Sequence, residues 1–86
     1  LSEDEKVLAA FVKGEQLIQL PVQFAKMKVV LRWLVQRFEP GVAYPERTVN
    51  ELLSGHEVDY ATLRRLLCDY GLLTRSAALY RRAEEL

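Results

Sequence analysis

The chain has 86 residues, half of them hydrophobic, which is enough for one core and excludes a multidomain enzyme. Twelve Lys plus Arg balance twelve Asp plus Glu, which excludes an overall attraction to nucleic acid or anionic lipid and makes any electrostatic footprint local. The balanced charge and apolar content exclude a disordered chain, and no apolar run approaches the length of a membrane span.

The single cysteine, Cys68, cannot form an internal disulfide and suits a reducing, cytoplasmic setting. No signal peptide is visible, and the start at Leu1 without a methionine leads to the expectation of a fragment or processed chain.

Ser2-Glu3-Asp4-Glu5 has the spacing of a capping box, which predicts a helix over 3–13 carrying Leu8, Phe11 and Val12 on one stripe and closed by Gly14. Glu15 to Leu20 lacks helical periodicity and runs into Pro21, so it reads as a short extended arm, suited to dimer formation. From Val22 to Phe38, the residues Met27, Val30, Leu31, Leu34 and Phe38 share one stripe and predict the central helix, ended by Glu39-Pro40-Gly41.

Val42-Ala43-Tyr44 is short enough for a strand before Pro45, which opens a helix over Pro45 to Ser54 with Val49, Leu52 and Leu53 on its apolar face. After Gly55 and a turn through His56, Asp59 caps a helix over Tyr60 to Tyr70 whose inner face carries Tyr60, Leu63, Leu66, Leu67 and Tyr70. Two helices joined by so short a turn form a helix-turn-helix unit. At about 100° per residue, centring the buried face on Leu63 and Leu67 turns Ala61, Arg65 and Cys68 outward and Arg64 to the flank.

Leu72 to Arg75 and Leu79 to Arg82 read as the strands of a hairpin, whereas propensity alone makes Ser76 to Leu86 a helix. The hairpin is preferred because it supplies a partner for Val42-Ala43-Tyr44, leaving Ala83 to Leu86 as a frayed or helical tail. The expected fold is mainly α with a small β-sheet, winged helix-turn-helix-like with an N-terminal helix and strand extension. Residues 1–20 form the N-terminal helix and extended arm, and 21–86 form the winged-helix-like domain.

The stretch Tyr44-Pro45-Glu46-Arg47-Thr48-Val49-Asn50-Glu51-Leu52-Leu53, with His56, Asp59-Tyr60-Ala61-Thr62-Leu63-Arg64-Arg65-Leu66-Leu67, Asp69-Tyr70-Gly71-Leu72-Leu73 and Arg75, resembles the bacterial domain of unknown function 2087 family. The resemblance runs from about Leu20 to Arg82. It implies an association with transcriptional regulation, because members of that family occur alone or attached to arsenic-repressor-type DNA-binding domains. The family pattern has an aspartate and a glycine between Arg75 and the tyrosine matched by Tyr80, where this chain has Ser76-Ala77-Ala78-Leu79. That departure implies a distorted wing tip.

Residues 60–82 hold Arg64, Arg65, Arg75, Arg81 and Arg82 against Asp69 alone, an excess of four positive charges that the zero total hides. These five arginines are the expected nucleic-acid-binding residues, with Arg64 and Arg65 on the recognition helix and Arg75, Arg81 and Arg82 anchoring phosphates from the wing. The expected partner is double-stranded DNA. The competing class is a non-enzymatic homodimerisation or protein-interaction module, built on the N-terminal arm or the Trp33 face, in which the arginines are solvated or paired as Arg65–Asp69, Arg47–Glu51 and Arg81–Glu85.

One histidine and one cysteine far apart give no zinc-ligand spacing, no glycine-rich phosphate loop occurs, and no nucleophile–base pair assembles. No cofactor, metal or catalysis is therefore expected. His56 reads as a turn residue, and Cys68 as a tolerated helix-surface residue rather than a redox thiolate. The Asn50 amide is expected to bond a loop carbonyl near Tyr44 or the turn, a structural task. Trp33, Phe38 and Tyr44, Tyr60, Tyr70 and Tyr80 read as packing residues rather than a base-stacking platform.

Overall fold

The capping box forms as its spacing predicts: the Glu5 N–H donates to Ser2 Oγ at 3.2 Å, and the Ser2 N–H donates to Glu5 Oε1 at 3.0 Å. In the computed structural model, which describes residues 2–83, this box starts α1, Glu3–Phe11. The helix stops two residues short of the expected end. Val12–Lys13 forms β1 instead, paired antiparallel with β2, Gln16–Leu17, in the register Val12↔Leu17.

Gly14 at φ 56° and Glu15 at φ 68° make the intervening turn, so Gly14 turns a hairpin rather than closing a helix. Two successive left-handed residues give the turn whose twist matches that of the flanking strands. The β-branched Val12 suits the strand better than a last helical turn. Pairing also delivers Leu17, fully buried, to the core.

The central helix α2 spans Phe24–Val35, inside the expected Val22 to Phe38. At its start, Gln23 makes no side-chain cap bond and Val22 is 99% exposed, so nothing holds the first expected turn. At its end the backbone tightens through Arg37 N–H to the Leu34 carbonyl and Phe38 N–H to the Val35 carbonyl. Phe38 is still fully buried, and its ring meets Tyr44 edge-on at 5.3 Å. Val30, Leu31, Leu34 and Val35 of α2 close the core, each such burial contributing about 1.5–3 kcal/mol before entropy is counted.

The strand β3, Ala43–Pro45, leads into α3, Glu46–Leu53, and then α4, Tyr60–Asp69. Leu63 and Leu67 of α4 are fully buried, as the rotation predicts, and so are Val49 and Leu53 of the expected apolar face of α3, with Leu52 partly buried; Tyr60 is 42% exposed and is not part of the inner face. Tyr60 occupies the first position of α4, beyond the turn that packs.

The segment after Ser76 is a strand and not a helix. β4, Leu73–Ser76, and β5, Leu79–Arg82, pair antiparallel, and β5 also pairs with β3, giving the order β3-β5-β4. Long-range pairing to β3 has overridden the helical propensity of the alanines. The cost falls at the tip, where Ala77 takes φ 55°, a left-handed conformation that disfavours a side chain.

The result is a mainly α molecule with small antiparallel sheets and a winged helix-turn-helix-like order of elements. Beyond Ala83, the expected tail helix over Ala83 to Leu86 lies outside the described residues, as does the Arg81–Glu85 pair. The N-terminal hairpin is tied to the helix-turn-helix: Leu17 N–H donates to His56 Nδ1 at 2.9 Å, and the Leu17 carbonyl accepts from the Glu57 N–H at 3.0 Å.

Candidate nucleic-acid interface

Two local choices position the cationic residues. Asp59 caps α4 by accepting the Thr62 N–H on Oδ2 at 3.2 Å, which fixes where the helix begins and so which residues face inward. With Leu63 and Leu67 buried, Arg64 is half-buried on the flank and Arg65 is exposed. The wing then faces this surface of the helix. Arg75 lies opposite Tyr80 in the β4–β5 register, and opposed residues share one face of a sheet.

These residues bound an open cleft of about 470 Å³ lined by Glu46, Ala61, Arg64, Arg65, Cys68, Arg75 and Tyr80. Its three arginines exceed its one carboxylate by two positive charges. The Arg64 Nη1 donates to Asn50 Oδ1, across from α4 to α3. Arg75 Nε donates to the Ala77 carbonyl at 3.2 Å, and its guanidinium lies 5.6 Å from the centre of the Tyr80 ring. The Tyr80 hydroxyl donates to Glu46 Oε1 at 2.9 Å, and burial followed by this bond pushes the phenol up, so it stays protonated.

Arg81 and Arg82 lie elsewhere. Arg81 pairs with Thr74 and Ala43 on the opposite face of the sheet. Arg82 is half-buried and donates from Nη1 to the Phe38 carbonyl at 3.1 Å, closing the end of α2. Of the five expected residues, Arg64, Arg65 and Arg75 converge, while Arg81 and Arg82 do not join them. Strand alternation was the signal that separates Arg81, since neighbours on β5 face opposite ways, whereas Arg82 shares the sheet face of Tyr80 and is drawn off by the Phe38 carbonyl.

Of the ion pairs of the competing reading, Arg65–Asp69 and Arg47–Glu51 do not reach contact distance among the described residues, while Lys6 and Glu3 do at 3.9 Å. Arg65 has no hydrogen-bond or ion-pair partner among the described residues. Asn50 was expected to bond a loop carbonyl and instead accepts from Arg64, because its carboxamide faces α4 and not the strand. No sequence spacing pairs positions 50 and 64, so this contact depends on how α3 and α4 cross.

Burial first, then Asp69, pushes the Cys68 thiol up, and Arg64 and Arg75 do not offset this. The thiol is therefore kept protonated. His56 is held in the turn by Leu17 and by an edge-on contact with Trp33 at 6.1 Å, outside the cleft. Among the described residues, no group of three metal-ligating side chains gathers, and no helix is long and apolar enough to cross a membrane.

Neither the curated proteins nor the solved structures include a significant match to this chain. A family model does match, over residues 16–82, from β2 to the end of β5. By that match the chain belongs to the domain of unknown function 2087 family, described as an uncharacterized protein conserved in bacteria.

Proposed function

We propose that the face formed by α4 and the β4–β5 wing binds double-stranded DNA, as the reading or accessory module of a bacterial transcriptional regulator. The observation that carries this reading is the convergence of Arg64, Arg65 and Arg75 on one cleft without a carboxylate partner on any of them among the described residues. An α-helix about 10–12 Å across fits a major groove about 12 Å wide. On this reading Arg65, exposed on the helix, meets base edges, and Arg64 and Arg75, which line the same cleft, meet backbone phosphates. The module is read as non-catalytic.

Anisotropy of a labelled random duplex tests this. Two phosphate contacts, from Arg64 and Arg75, give a slope of log affinity against log salt near −1.8, so that raising salt from 50 to 200 mM weakens binding about 12-fold. R64A/R65A flattens that slope to about −0.9. No salt-dependent binding at high micromolar protein, with a stable dimer by light scattering, overturns the reading. It would support a protein-interaction module instead, which the exposure of Phe24, 66%, and Val22, 99%, favours as the second reading.

A further inference from the structure

We propose that Asn50 is a positioning residue of this face, holding the Arg64 guanidinium in the cleft so that it meets a backbone phosphate already oriented. The inference rests on the DNA-binding reading above and names a residue of that site on the supporting helix. Asn50 is half-buried on α3 between Val49, which is fully buried, and Glu51, and its Oδ1 accepts from Arg64 Nη1. An asparagine gains nothing for helix formation at this position. Its gain is the contact with α4.

The neutrality of the acceptor matters. A carboxylate at the same place would orient Arg64 equally well but cancel the charge that a phosphate needs. A carboxamide takes one of the five N–H donors and leaves the charge and the remaining donors free. Arg75 is treated the same way, held by the Ala77 carbonyl and the Tyr80 ring and by no carboxylate. The one carboxylate lining the cleft, Glu46, is engaged by the Tyr80 hydroxyl and not by an arginine. Two of the three arginines are thus ordered by neutral partners, which lowers the entropy lost when a long side chain is immobilised on binding.

The test is duplex affinity across a salt series for the full chain and for N50A, R64A, N50A/R64A and N50D, each at a temperature where circular dichroism shows it folded. N50A is expected to weaken binding about 3- to 10-fold with the salt slope unchanged, because the same phosphates are met by a less ordered guanidinium. R64A flattens the slope by about 0.9, and adding N50A to it has no further effect. N50D keeps the acceptor and the geometry but neutralises the charge, so its slope flattens by about 0.9 although Arg64 is present.

A role confined to packing α3 against α4 moves melting temperature and leaves these slopes and the coupling untouched. N50A binding as the unaltered chain does, additive losses in N50A/R64A, or a full slope for N50D overturns the inference. Should N50A not fold, N50D decides alone. Absence of binding by the unaltered chain removes this inference together with the function, whereas binding by that chain with a flat Asn50 series removes this inference only.

Discussion

His56 ties the N-terminal hairpin to the helix-turn-helix, and it does so only while its imidazole is neutral. Nδ1 accepts the Leu17 N–H at 2.9 Å, and a protonated ring would present a donor to that donor. Burial, and then the Arg37 guanidinium, pull the His56 pKa below its ordinary value of 6.5. Arg37 lies 4.3 Å over the Trp33 ring beside the histidine, while Glu57, the nearest carboxylate on the same turn, is engaged by Gln16 at 3.3 Å. A depressed folded-state pKa means that the unfolded chain binds more protons between the two values. The stabilisation is therefore complete above pH 6.5 and is lost as pH falls through the folded-state value.

His56→Ala leaves the N–H of the fully buried Leu17 without its acceptor, at a cost of about 1–2 kcal/mol, the lower part of the usual range because His56 is only half-buried. For a domain of this length each kcal/mol moves Tm by about 4–8 °C, so the variant melts about 4–16 °C lower at pH 8. At pH 5 the gap narrows, since the unaltered chain must discharge or break the contact that the variant never had. Thermal unfolding by circular dichroism at both values measures this. A gap that stays constant between pH 8 and pH 5 refutes the reasoning, because the carboxylates common to both proteins cancel in the difference.

Two further predictions concern the wing. Ala77→Gly relieves the side chain held at φ 55° and is expected to stabilise the protein by about 0.5–1 kcal/mol net of the added freedom of the unfolded chain, raising Tm by a few degrees in a melt. A fall in Tm would mean that the tip carries no strain. Arg82→Ala removes the bond to the Phe38 carbonyl and is expected to cost about 1 kcal/mol, seen as a Tm lower by about 4–8 °C, with duplex affinity and its salt slope unchanged. A flatter salt slope in that variant would place Arg82 on the DNA-binding face after all.

Local signals in the sequence carried most of the architecture. The Ser2 and Asp59 caps, the Leu63 and Leu67 stripe and the pairing need of the Val42-Ala43-Tyr44 segment each found their counterpart. What escaped was set by contacts between distant segments. Gly14 serves a helix end as well as it serves a hairpin turn, and only the burial of Leu17 and its bonds to His56 and Glu57 decide between them. The same limit applied to the cleft. Helical rotation placed Arg64 and Arg65 correctly with respect to the core, but a sum of charge over residues 60–82 has no geometry and counted Arg81 and Arg82 with the rest. The Asn50–Arg64 contact depends on the crossing of two helices, which no one-dimensional period encodes.

An electroneutral body with three clustered arginines also constrains how such a module can act. A protein that neutralises six to ten phosphates draws much of its affinity from released counterions, and two phosphate contacts supply a third of that or less. The deficit is made up in one of two ways, by more base contacts or by a second binding event close at hand. The helix face offers little for the first, since of the α4 residues that line the cleft, Ala61, Arg64, Arg65 and Cys68, Arg65 alone is an exposed donor without a hydrogen-bond partner among the described residues. A second event, on a linked DNA-binding domain or a second copy, becomes intramolecular once the first is made and gains affinity without any new contact. The zero net charge then becomes an advantage, because a weakly attracting module adds affinity beside a neighbouring reader without itself holding that reader on arbitrary sequence. On the proposed DNA-binding function, the arithmetic of the cleft thus favours a module that works beside another reader over one that works alone.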